Sequence, residues 1–185
     1  MTIIVEDGSN VANANSYVSL TDLRSYALAR GVTLSAVDAT LESQVFKAMD
    51  YIESFRSRFQ GVKSYQSPTY VSPQLLQFPR SEFKDSQLGI YIDCNRIDFD
   101  VIPTELINIE CQCVMAINAG VNFANFTQSQ QFVIKEKIGP LETEYAKPSE
   151  GGYQGGVPYI ESIQNMFDVL FYPCGNNGST MTSRW

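Results

Sequence analysis

Between Leu41 and Phe59, apolar residues return at steps of three and four through Val45, Ala48, Met49, Ile52 and Phe55. Only an amphipathic helix gathers such a set onto one side, so the stripe demands a partner surface to cover it. With a start signal at Ser35 to Asp38, it predicts the longest helix of the chain at about 36 to 58. A shorter helix is expected before it, at about 19 to 30. There Ser19-Leu20-Thr21-Asp22 supplies a serine cap with an acid at the third position, and Gly31 supplies the stop. A third is expected at about 103 to 122, with Pro103 in its first turn and Leu106, Ile109, Cys113, Ala116 and Ile117 on its inner face. Glu105 and Glu110 lie in its amino-terminal half, where the helix dipole favours acids.

Between these helices the periodicity fails. From Gly61 to Phe99, Pro68, Pro73 and Pro79 interrupt the backbone, and only Leu88 to Ile92 reads as a short strand. A run this long inside a compact domain marks a binding or contact loop, or a loop packed over the core by Leu75, Leu76 and Phe78. Residues 131 to 145 read as a β-hairpin turning at Gly139-Pro140. The expected fold is therefore mainly α with a small β-hairpin, an α+β chain with a helical-bundle core, long loops and extended termini. Residues 1 to 150 form the core unit, and the first 18 are expected to extend and depend on a partner. Residues 151 to 185 hold the Gly151 to Gly156 linker, a short helix at 160 to 170 and a polar tail.

The chemistry of most enzymes is out of reach. The 185 residues include no histidine, so neither a Ser-His-Asp nor a Cys-His site can be assembled. Ser81 and Lys84 have the Ser-x-x-Lys spacing of penicillin-recognising enzymes without the partner motifs. Asp93, Asp98 and Asp100 lack the glycine and terminal glutamate of a calcium loop. Cys94, Cys111, Cys113 and Cys174 have no zinc-ligand spacing and are expected as buried reduced thiols. No catalytic residue, metal or cofactor is expected. The amino terminus has no signal-peptide pattern and no apolar run reaches the roughly 18 residues of a membrane span, which predicts a protein made in the cytoplasm, with no membrane partner.

Several segments occur together in a telling order: Ile4-Val5-Glu6-Asp7-Gly8, then Ala12 to Ser19, Lys47-Ala48-Met49-Asp50-Tyr51-Ile52, Leu76-Gln77-Phe78-Pro79-Arg80-Ser81, Ile102-Pro103 and Glu136 to Tyr145. This set resembles a family of small tailed-phage proteins labelled DnaT-like single-stranded DNA-binding proteins and encoded among head and neck genes. The family usually carries tryptophan where Phe78 stands. The resemblance implies a structural head-tail connector, or adaptor, in the virion neck. Such a subunit would bind the portal protein and tail or neck proteins, as a homo-oligomeric ring commonly of twelve copies. Genomic DNA would pass through its lumen without specific binding. The interface residues expected on this reading are Phe78, Arg80, Ile163, Met166, Phe167, Leu170 and Trp185.

The alternative is single-stranded DNA binding in phage replication, which needs a basic groove lined with aromatics. The chain has 11 phenylalanines, 10 tyrosines and one tryptophan, but its net charge is −7. On charge, DNA binding ranks second.

Overall fold

The computed structural model describes residues 2–66, 73–84, 86–123, 133–137, 142–145 and 160–172. Its architecture is mainly helical with small antiparallel ribbons, an α+β fold as expected. Helix α1 spans Leu20–Leu28, capped where Ser19 Oγ accepts the Asp22 N–H at 3.1 Å. Helix α2 spans Asp38–Ser54, α3 spans Thr104–Asn118 and α4 spans Glu161–Phe171. The apolar stripes settle the packing. α3 lies against α1, α2 and α4, with Leu23, Leu41, Val45, Ile52, Leu106, Ile109, Val114, Ile163, Phe167 and Leu170 wholly inside. Each such side chain contributes roughly 1.5–3 kcal/mol by leaving water, so this one core dominates the fold.

The long excursion after α2 is built from very short pairings. Strand β1, Val62–Lys63, pairs antiparallel with β2, Arg80–Ser81, and β3, Tyr91–Ile92, pairs with β4, Asn95–Arg96. Ile90 and Ile92 fall in the buried core, so the strand expected at 88 to 92 survives only as the two residues of β3. Strands β5, Val133–Lys137, and β6, Glu142–Tyr145, make the expected hairpin. Its turn, the Gly151 to Gly156 linker and the polar tail lie outside the described residues.

The amino-terminal segment departs from expectation. It does extend, but it lies on its own chain: Asn15 N donates to Ile4 O at 2.9 Å, Glu6 N donates to Ser16 O at 2.9 Å, and Val5 and Ser16 form a parallel bridge. The buried Glu6 carboxylate accepts the backbone N–H groups of Gly8, Asn10 and Val11 at 2.9–3.0 Å. Gly8 has φ +105°, and a Cβ there would meet Asp100 O at 1.8 Å, so this loop closes only with glycine. Ala14, Tyr17 and Val18 are buried.

Candidate nucleic-acid interface

α2 stops at Ser54, and the chain turns through Phe55, where Arg56 N donates to Glu53 O and Arg58 N donates to Phe55 O. The rings of Phe55 and Phe59 meet those of Phe167 and Phe171 at the end of α4. Phe55 stands 4.7 Å from Phe167, Phe59 stands 5.4 Å from Phe171, and Phe167 and Phe171 stack at 5.5 Å. Gln60 seals the junction, its backbone N–H and side-chain amide both donating to Leu170 O. On this platform lies an exposed cation: the Arg58 guanidinium sits 4.2 Å above Phe171 and 5.6 Å from Phe55. Tyr172, next along the chain from Phe171, is 42% exposed. Arg56 is exposed beside it in sequence, just past the negative end of the α2 dipole, where cations are favoured.

β1 and β2 extend the surface. Gly61 turns the chain at φ +64°, and a Cβ there would lie 2.1 Å from Ser81 O, so glycine is what lets β1 close on β2. Lys63 Nζ donates to Gln74 O at 3.2 Å and Leu75 O at 2.8 Å. Burial lowers its pKa, Glu53 opposes, and Arg80 and Arg56 push the same way as burial.

Arg80 has a different role. It is buried, and its guanidinium donates to Gln60 O at 2.5 Å, Gly61 O at 2.7 Å, Phe59 O at 3.4 Å and to both Gln77 oxygens. The rings of Phe59 and Phe78 lie 5.8 Å away on either hand. Burial lowers its pKa to about 10, with Tyr17 and Glu53 opposing, so it remains charged at neutral pH. It fixes the backbone that presents Arg58 and Lys63. Phe78, fully buried, donates its N–H to the Tyr17 hydroxyl at 3.1 Å. Phe78 therefore serves as a core anchor.

The charge of this region was missed by reading the chain's net charge alone. From Ser54 to Ser81 there are four basic residues, Arg56, Arg58, Lys63 and Arg80, and no acid in 28 residues. The rest of the chain is left with nine basic against twenty acidic residues. A window count would have found it.

The remaining candidates fall elsewhere. Ile163, Phe167 and Leu170 are buried in the chain's own core and Met166 is packed against it, while Trp185 lies outside the described residues. Ser81 is buried with its hydroxyl donating to Phe83 O at 3.0 Å. Among the described residues no group of three possible metal ligands gathers, Asp93, Asp98 and Asp100 included. Cys111 and Cys113 are buried free thiols, and burial pushes Cys111 up to about 12. Cys94 corrects the expectation for cysteines: it is exposed and disulfide-bonded.

No curated protein and no solved structure matches this chain. A family model matches residues 1–184, and its description speaks of single-stranded DNA and not of virion architecture. That finding overturns the expected head-tail connector, its twelve-copy ring with portal, tail and neck partners, and the passage of DNA without binding. By this match the chain belongs to the family described as "Putative DnaT-like ssDNA binding protein".

Proposed function

We propose that the chain is a binding protein, without catalytic activity, that takes single-stranded DNA across the surface carrying Arg56, Arg58 and Lys63 at the end of α2. Phosphates meet Arg56, Arg58 and Lys63, and an unpaired base stacks beside Tyr172 on the Phe171–Arg58 platform. The observation that carries this reading is that the exposed Arg58, in the acid-free segment 54–81, lies 4.2 Å above the Phe171 ring of α4. A strand needs both parts: cations to replace condensed counterions, and π-faces worth about 1–3 kcal/mol per stacked base. The family description favours the same ligand. The acidic remainder of the chain repels phosphate and confines contact to this patch.

The test is fluorescence anisotropy of a labelled oligo-dT titrated with the protein over a range of salt. Three phosphate-facing cations give a log Kd against log salt slope of magnitude roughly 2 for a single strand. No binding at low salt, or binding insensitive to salt, rules the reading out.

A further inference from the structure

Glu110 is fully buried in the second turn of α3, beyond the first turn where the helix dipole acts. Among the described residues, its side-chain hydrogen bonds come from the amino-terminal segment. Oε1 lies 2.5 Å from Ser16 Oγ, and Oε2 accepts the Tyr17 N–H at 2.8 Å. Ser16 Oγ also lies 2.8 Å from Val18 O and accepts the Val18 N–H at 3.1 Å. A hydroxyl has one proton to donate. Val18 O can only accept, and so can Oε1 of an ionised carboxylate, so one hydroxyl proton cannot serve both contacts. A proton on the carboxyl would serve the short Oε1 contact and leave the hydroxyl proton to Val18 O.

The surrounding charges agree. The N-terminal segment presents the buried Tyr17 phenol, and α3 presents the Cys111 and Cys113 thiols. Asp22 and Arg30 of the α1 region act on Cys111, and Glu53 of α2 acts on Tyr17. Among the described residues no cation is paired with Glu110. Burial pushes its pKa up to about 7, outweighing what hydrogen bonds donated by Ser16 and by the Tyr17 N–H do for the ionised form.

We propose that Glu110 serves as a neutral carboxylic acid in the folded chain, that its proton fastens the N-terminal segment to α3, and that ionisation of this one group sets how tightly the segment is held. The inference is independent of DNA binding.

A through-bond NMR titration of the assigned Glu110 carboxyl in the wild-type chain tests it, alongside hydrogen exchange of the Glu6 and Asn15 amides. A midpoint near 7 is expected, far from the ordinary 4.5. Protection of both amides should fall by up to about tenfold per pH unit between those values and level off above. In Glu110→Gln, whose amide NH2 can donate to Ser16 while its carbonyl accepts from Tyr17, protection should hold flat over the same range. A wild-type midpoint below about 5 overturns the proposal whether or not the variant folds. So does a glutamine variant whose protection tracks pH as wild type does.

Discussion

Two neighbouring stretches of the chain carry opposite charge. Ser54 to Ser81 carries four basic residues and no acid, whereas residues 82 to 100 carry five acids and two bases. Among the described residues, the second stretch exposes Phe83, Leu88 and Tyr91 at 56%, 44% and 40%, where the first exposes Leu75 at 52%. It even repeats the cation-over-ring motif, Arg96 lying 5.6 Å from the Tyr91 ring, but there Glu82 stands 3.7 Å from the guanidinium. On the proposed reading, exposed aromatics alone do not make a strand-binding surface. What separates the two is whether the cation over the ring is left for phosphate or answered by a neighbouring acid.

The largest effect should come from the arginines that mark each side. Arg80→Ala removes five hydrogen bonds that a buried guanidinium makes to the oxygens of residues 59–61 and 77, and is expected to cost about 3–5 kcal/mol in chemical denaturation. Arg96→Ala, on the exposed ridge, should change stability by under about 0.5 kcal/mol. Equal losses would mean that the two guanidinium groups are not differently employed.

Next comes pH. Glu110 ionises near 7 in the folded chain and near 4.5 once exposed. Between these values the folded state binds the extra proton, so its contribution is complete below about 4.5, is lost as pH rises to about 7, and is constant above. Denaturation midpoints across that window should decline in wild type relative to Glu110→Gln. A stability difference between the two chains that does not vary with pH would remove Glu110 from the explanation.

Arg58→Ala comes third. It should weaken oligo-dT binding roughly five- to tenfold and reduce the salt slope by about 0.7, while stability shifts by less than about 1 kcal/mol. Smallest of all, Tyr91→Ala should leave DNA affinity within about twofold of wild type in the same anisotropy assay, because its ring belongs to the acidic ridge.

The helices were legible because their signals are local: the Leu41 to Phe59 stripe and the Ser19 cap act within a few residues of themselves. The boundaries of α1, α2 and α3 shifted inward, α2 ending at Ser54 because Phe55 turns toward the α4 rings. The ribbons of the excursion were not legible. β1 and β2 are two residues each and exist because Gly61 admits Ser81 and Arg80 gathers the carbonyls of residues 59 to 61, none of which leaves a periodic trace. The attachment of the N-terminal segment was hidden for a related reason, since Ser16 and Glu110 are 94 positions apart. The basic surface was legible in principle. Arg56, Arg58 and Lys63 stand within eight residues, but a net charge of −7 averages them away.

The separation of the two surfaces can be measured in one experiment: oligo-dT anisotropy at low salt with the wild-type chain, Arg56→Ala/Arg58→Ala, and Phe83→Ala/Tyr91→Ala. The expected result is salt-sensitive binding by wild type, loss of at least about tenfold in the arginine pair, and near-wild-type affinity in the aromatic pair. Undiminished binding in the arginine pair, with loss in the aromatic pair, would place the strand on the acidic ridge and contradict the assignment made here.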